Sequence, residues 1–340
     1  MSDDPFKVSH SKVKTWRRCR YLYHMKYVKK LRRKVKGRPL QFGSFVHEAI
    51  EEYQKSGNFK KTIKKFNLEI EKVFDEERAA LGLDRLVQDA TAVTHGYLET
   101  WADDGLIYKV VEAEVEIPLV DGIVFVGKVD AIVEDSEGYI WIFERKTCKT
   151  IPEEDIRLTD IQTVLYWWAV PNMTLKVGKR IYRFKDIRGI IWDYVRSKAP
   201  SIPEPLKKGG FSRANIDTTW GVYKQALIDN GLNPDDYDDM RQKLAGKEES
   251  FFRRIKLPYS KSMKDQVLRD FKETAMEMRI LHGVAMDRNL DFTCSFCDFK
   301  NPCVAELRGS DIDLMLKKDY EVRKNEDEIE EEKVSLRNSK

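Results

Sequence analysis

The stretch Gly127–Lys146, GKVDAIVEDSEGYIWIFERK, sets three charged side chains, Asp130, Glu144 and Lys146, inside two runs that otherwise have the composition of buried strands. Val124–Val133 and Tyr139–Phe143 are rich in β-branched and aromatic residues, and Asp135–Gly138 between them is a cluster of turn formers. A hairpin centred on Glu137 puts Asp130 opposite Glu144. Side chains alternate along a strand, so Glu144 and Lys146 share a face. Two carboxylates and an ammonium then meet on one patch of sheet. Like charges facing each other are unfavourable, and burying them costs several kcal/mol unless something neutralises them. Two readings fit: an exposed cross-strand salt bridge of little weight, or a carboxylate pair neutralised by a divalent cation. The apolar neighbours Ile140, Trp141, Ile142 and Phe143 argue against exposure.

At 340 residues the chain can bury one large core or two modest ones. No apolar run approaches the ~20 residues that span a bilayer, and the N-terminal MSDDPFKVSHSKVK lacks the apolar region of a secretory signal. A cytoplasmic protein with no membrane partner is expected. Five cysteines, an odd number, argue against a disulfide framework. The net charge of +4 conceals an asymmetry: residues 1–40 hold fourteen Lys and Arg against two Asp, whereas Glu326–Glu332 has six acids in seven positions. The basic block is interleaved with Trp16, Tyr21, Tyr23 and Tyr27, which suits a polyanion, with charge for phosphates and rings for bases. A solvated helix face with aromatics turned inward accounts for most of the rings but not for the charge excess. Nucleic acid is the expected partner, and the acidic tail is expected to be mobile.

Helical patterning covers Ser9–Lys30, with Ser9 or Ser11 as N-cap, and resumes from Phe42–Ser44 through Tyr53 after a break at Gly37–Pro39. Thr62–Leu81 and Val87–Trp101 read as helices, and Tyr108–Leu119 alternates as a strand through Val111, Ala113, Val115 and Ile117. Beyond the hairpin, the pattern predicts a helix over Ile156–Val170 and strands over Arg180–Arg183 and Ile187–Val195. A Pro-, Gly- and Ser-rich loop follows over Pro200–Thr219. Thr219–Gly231 and Asp235–Leu244 read as helices, Ser250–Pro258 as a strand and Met263–His282 as a long amphipathic helix. The order implies an α/β fold with a mixed central sheet flanked by helices.

Cys294, Cys297 and Cys303 are spaced C-x2-C-x5-C beyond the last long helix. Three thiolates make an incomplete tetrahedral set, and Cys19, or else Cys148, could complete it. Such sets bind zinc or an iron–sulfur centre, and spacing does not choose between them. With Cys19 as fourth ligand, the metal would tie the basic N-terminal part to the C-terminal part and make metal binding part of folding.

Together these residues resemble the RecB-like branch of the PD-(D/E)XK nuclease superfamily, in the iron–sulfur subgroup that includes AddB-type and CRISPR-adaptation nucleases. The carrying residues are His47 in FGSFVHEAIEEY, Asp130 in GKVDAI, Glu144 and Lys146 in FERK, Gln162 and Tyr166 in QTVLY, and Cys19 with Cys294, Cys297 and Cys303. They span residues 9 to about 306 in the family's order. GIIWDYVRSKAP and KKGGFSRANIDTTW also look like phage-encoded members of this branch.

The resemblance implies a restriction-endonuclease-like core, residues 1–308, as one nuclease domain: a helical basic part (1–105), a catalytic sheet core (106–200) and a helical part with the cysteines (201–308), before a charged tail (309–340). It implies Mg²⁺ or Mn²⁺ held by His47, Asp130, Glu144 and the carbonyl of Thr147 or Arg145. Lys146 would orient a water and stabilise charge, and Gln162 and Tyr166, on one helix face, would contact substrate or the lysine. The cysteines would carry a 4Fe–4S cluster, with zinc as the alternative. The implied activity is a DNA exonuclease of recombination, repair or replication, acting on single- or double-stranded ends. The alternative is a catalytically silent iron–sulfur DNA-binding subunit. No G-x-x-x-x-G-K-[ST] loop is present, so either a stand-alone nuclease or one that works with a separately encoded helicase or single-strand annealing protein is expected, and a homo-oligomer is compatible. Glu114 and Glu116 could support the site or lie on an exposed face.

Overall fold

The computed structural model of the chain describes residues 4–152, 160–177, 180–214 and 216–323. The acidic run Glu326–Glu332 and the first part of the helix expected over Ile156–Val170 lie outside the described residues. From the N-terminus come β1 (Phe6–Val8), α1 (His10–Arg18), α2 (Arg20–Tyr23), β2 (Leu31–Arg33), α3 (Arg38–Ser56), α4 (Lys60–Glu71), α5 (Asp75–Ala80) and α6 (Leu86–Thr100). Next are β3 (Ile107–Val120), β4 (Ile123–Glu134), β5 (Ile140–Cys148), α7 (Ile161–Ala169), β6 (Leu175–Val177), β7 (Arg180–Tyr182) and β8 (Gly189–Arg196). The chain continues through α8 (Trp220–Asp229), α9 (Asp238–Leu244), β9 (Phe252–Pro258), α10 (Lys261–Leu281), α11 (Lys300–Leu307), α12 (Asp313–Asp319) and β10 (Tyr320–Val322).

The chain divides into two compact units. One holds residues 37–115 and 128–265 and contains the expected mixed sheet with its helices. There β5 lies between antiparallel β4 and parallel β8, and β9 runs antiparallel to β8. The β4–β5 pairs run from Ala131↔Phe143 to Glu134↔Ile140. Extended by one pair, that register puts Asp130 opposite Glu144, and the Arg145 backbone N–H donates to the Asp130 carboxylate there. The turn itself is held by Asp135, whose carboxylate accepts from the backbone of Glu137 and Tyr139 (3.1 and 3.0 Å) and from the Trp141 indole (2.8 Å).

Strand β8 is buried at seven consecutive positions, a continuous run that marks a strand covered on both faces. Trp192 donates to Thr163 of α7 at 3.1 Å, and Asp193 accepts from Tyr97 of α6 at 2.7 Å, so each face has its helix. Gly189 opens β8 where a Cβ would come within 2.0 Å of the Leu257 carbonyl, and only glycine allows β9 to approach there. Helix α7 starts at Asp160, which accepts from the Gln162 backbone N–H at 3.0 Å. The single helix expected over Thr62–Leu81 is two, α4 and α5.

The other unit holds residues 1–36, 116–127 and 266–340. Ser9 caps α1 by accepting from the Lys12 N–H at 3.2 Å. The continuous helix expected over Ser9–Lys30 breaks at Cys19, which is extended (φ −169°, ψ 119°). Two short strand pairs were not foreseen: β1 runs parallel to the start of β4, and β2 pairs with β10. Helix α12 and strand β10 fall within the segment expected as tail. Tyr21, Leu22, Met25, Phe299, Ile312 and Tyr320 pack together as a core of this unit. Among the described residues no helix is long and apolar enough to cross a membrane.

Candidate active site

Asp130, Glu144 and Lys146 meet on the β4–β5 ladder as the alternation requires. Glu144 is only 3% exposed. Its Oε1 accepts from Lys146 Nζ at 2.6 Å and from Gln162 Nε2 at 2.5 Å. Its Oε2 is buried with no hydrogen-bond partner. Such an orphan costs about 1–3 kcal/mol, and more for a charged group. Burial first, and then the Asp130 charge, push the Glu144 carboxyl up to about 7, against the opposing pull of Lys146 and Gln162. The protein has built a carboxylate that lacks one positive neighbour.

Asp130 Oδ2 accepts from the Arg145 backbone N–H at 2.8 Å and lies 3.8 Å from Nδ1 of His47. His47 comes from α3, and burial holds its pKa down at about 4, with the Asp130 charge opposing and Arg145 and Lys146 adding to the push. Its imidazole is therefore neutral at pH 7, the form that can donate a lone pair. Gln162 also donates to Tyr166 Oη at 3.3 Å, and the Tyr166 hydroxyl donates to the Lys128 carbonyl at 2.7 Å. The Gln162–Tyr166 pair thus ties α7 to Glu144 and to β4 two residues before Asp130.

A cleft beside these groups is lined by Gly43, His47, Glu112, Lys128, Lys146 and Thr147, among others. A Cβ on Gly43 would sit 2.8 Å from Thr147 Oγ1, so glycine there brings α3 close against β5 and delivers His47 one turn later. Among the described residues no three His, Cys, Asp or Glu side chains converge closely enough to hold a metal ion. Asp130, Glu144 and His47 are therefore not a finished coordination shell. The orphaned Glu144 oxygen, the facing carboxylate and the neutral imidazole nevertheless form a donor set suited to a hard or borderline divalent cation.

Two groups of site residues escape sequence reasoning. Glu112 lines the cleft and pairs with Lys128, while Glu114 and Glu116 are exposed and Glu116 pairs with Lys7 at 3.1 Å. Glu112 is in the left-handed region (φ 58°), uncommon for a residue with a side chain. Burial in β3 skips from Val110 to Ala113 before alternation resumes, so Val111 is not part of the inward set. Glu112→Gly is expected to leave stability unchanged or raise it by about 1 kcal/mol, and Glu112→Val to lower it by about 1–2 kcal/mol, read by denaturant titration.

The second group lies behind Glu144. Arg145, 5% exposed, donates to Asp193 Oδ2 (2.9 Å) and to Tyr97 Oη (3.0 Å). Tyr97 donates to Asp193, and Arg254 donates to Asp193 Oδ1 (3.1 Å) and Asp104 (2.8 Å). Burial pushes the Tyr97 hydroxyl far above its ordinary value, so it stays a donor. Two guanidiniums and two carboxylates balance in this network.

Among the described residues, the metal cluster expected between the N- and C-terminal parts does not appear as a ligating group. Cys19, Cys294, Cys297 and Cys303 do line one cavity. Cys19, Cys297 and Cys303 pack there as small apolar side chains against Tyr21, Leu22 and Phe299, and the Cys294 thiol donates to the Asn289 carbonyl at 3.7 Å. Burial raises the Cys297 thiol pKa, which keeps it protonated.

No curated protein matches the chain. Eleven chains of solved structures do. One of them, titled "Crystal structure of SSO0001", is 13% identical over 88% of this chain and 86% of its own, with a TM-score of 0.31. The family profile of the PD-(D/E)XK nuclease superfamily matches residues 7–304, which include the cleft and all four of these cysteines. The chain belongs to the PD-(D/E)XK nuclease superfamily.

Proposed function

We propose that the protein is a metal-dependent DNA exonuclease of the RecB-like, iron–sulfur type, phage-encoded and acting at DNA ends in recombination, repair or replication. The observation that carries the metal-dependent reading is Glu144: buried, facing Asp130, with one oxygen bound by Lys146 and Gln162 and the other left unpartnered. Asp130, Glu144, His47 and the main-chain carbonyl of Arg145 or Thr147 would hold Mg²⁺ or Mn²⁺. A cation bound there supplies an acidified water and a charge sink for the phosphate oxygens. Lys146 holds Glu144 Oε1 in place and adds positive charge where the phosphate charge develops. Gln162 fixes the Glu144 rotamer. Tyr166 acts through Gln162 and the Lys128 carbonyl, and so is a positioning residue.

Proton linkage gives this assignment a sign. Because the folded Glu144 carboxyl is raised to about 7, it keeps a proton between its ordinary value and about 7 that the unfolded chain has lost. Its contribution to cation-free stability therefore falls as pH rises through that window. A cation needs the ionised form, so its affinity should drop up to about tenfold per unit below pH 7 and level off above it. Calorimetric titration with Mn²⁺ at several pH values checks this. A flat affinity from pH 6 to 8 contradicts it.

An iron–sulfur cluster on Cys19, Cys294, Cys297 and Cys303, with zinc as alternative, is part of the proposal, supported by their common cavity. Protein purified without oxygen should be brown and lose its colour on Cys297→Ala. Colourless protein with stoichiometric zinc would replace the cluster by zinc. The exonuclease reading is tested with end-labelled linear DNA and closed circles. Short labelled products from linear DNA with intact circles are expected, and nicked circles would point to endonuclease action.

A further inference from the structure

We infer that strand β7, paired with β6, and the segment leading from it to β8 form a nucleic-acid-binding arm that grips phosphates outside the cleft. Strands β6 and β7 pair with each other in a sheet of their own, with Leu175 opposite Tyr182. Leu175 is fully buried and anchors the arm at its base. Ile181 next to it is 69% exposed. From Arg180 to Arg188 the chain presents Arg180, Arg183, Lys185 and Arg188 against one acid, Asp186, and all five are exposed.

Arg180, Arg183 and Lys185 make no ion pair with any described residue. In the same unit Lys198 is paired with Asp217, Arg213 with Asp239 and Arg241 with Asp238. Folded surfaces ordinarily mix charge signs, and a one-sign run repels itself unless a partner of opposite sign covers it. Here the run is also ordered. Tyr182 and Phe184 stack in parallel with ring centroids 6.3 Å apart, and the Arg188 guanidinium lies 5.1 Å over the Tyr139 ring.

Arg180–Tyr182 is a strand, and a fully extended chain rises about 3.3 Å per residue, so Arg180 and Lys185 lie at most about 16 Å apart. Each phosphate of one duplex strand advances ~3.4 Å along the helix axis. The arm can therefore meet more than one phosphate, and it does so through positive charge that Lys and Arg supply alike. Its place is away from the cutting point. Gly189, which follows the arm, pairs with Trp141, three residues before Glu144. That is about 10 Å along β5, and the arm extends beyond it. The choice of nucleic acid as the polyanion rests on the nuclease reading above.

The test uses the full-length protein in metal-free buffer, with fluorescein-labelled duplex and single-stranded DNA followed by anisotropy over a salt series. Replacing Arg180, Arg183 and Lys185 together (R180A/R183A/K185A) is expected to raise Kd about tenfold and to reduce the salt slope by about two to three. The charge-keeping set R180K/R183K/K185R should stay within about twofold of wild type. Should the triple alanine variant misfold, Arg183→Glu alone must weaken binding in the same direction. Unchanged affinity and slope in a folded triple variant would overturn the arm. So would a variant that loses polyglutamate binding while DNA binding stays intact, since that outcome assigns the arm to an acidic protein. Wild-type protein that binds DNA through the arm but cuts none sinks the nuclease reading and leaves the arm standing.

Discussion

Glu144→Ala is expected to reduce metal-dependent DNA cleavage by at least about a thousandfold, on the order of 4 kcal/mol of transition-state stabilisation. The size follows from where Glu144 sits. It is the most buried of the proposed cation ligands, and its oxygens divide the work between Lys146 with Gln162 and the cation place. Removing it takes away a ligand and releases the ammonium that it orients. The variant should still fold. The wild-type carboxylate is buried with one oxygen unpartnered, so its loss relieves a desolvation cost while freeing the partly exposed Lys146 and one donor contact of Gln162, whose amide keeps its bond to Tyr166. A variant with a wild-type unfolding midpoint and no cleavage fits this account. Cleavage within about tenfold of wild type would remove Glu144 from the chemistry.

Asp193→Ala is expected to act in the opposite way, through stability. Asp193 has no exposed surface and receives hydrogen bonds from Arg145, Arg254 and Tyr97. Deleting its carboxylate strands two guanidiniums in a site where only Asp104 stays to balance Arg254. Breaking a buried ion pair by removing one partner costs about 3–5 kcal/mol. The loss should appear as a lower denaturant midpoint with an unchanged slope. Asp193→Asn should cost less, because it keeps the acceptor for one donor. Loss below about 1 kcal/mol would mean that the network relaxes around the gap. Arg145 lies between Glu144 and Lys146 in β5, so the same substitution should also disturb the cleft.

Much of the site is legible from short-range rules. The hairpin register follows from the turn formers Asp135–Gly138 and from strand alternation, and these alone bring Asp130 opposite Glu144. Gln162 and Tyr166 lie four apart on α7, which is enough to align them. His47 needed the resemblance, since nothing local distinguishes a ligand imidazole from a structural one. What sequence leaves out is of two physical kinds. Glu112 and Cys19 depart from the local conformation of their elements, one left-handed inside a strand and the other extended inside a helical run, and composition carries no mark of either. The Arg145–Asp193–Arg254–Tyr97 network joins three strands and a helix that are distant in sequence. Its members read singly as surface charges and become a buried, balanced set only when the sheet is assembled. The four cysteines reach a common cavity, but spacing says nothing of how the sulfurs turn within it.

DNA cleavage by Asp130, Glu144 and Lys146 beside the cleft requires a divalent cation in this proposal. Wild-type protein incubated with end-labelled DNA in Mg²⁺ or Mn²⁺, and in parallel with the cation chelated, tests it most directly. Cleavage in both metals and none after chelation is expected, with activity restored when the cation is returned. No cleavage in either metal, or cleavage that continues after chelation, would contradict it.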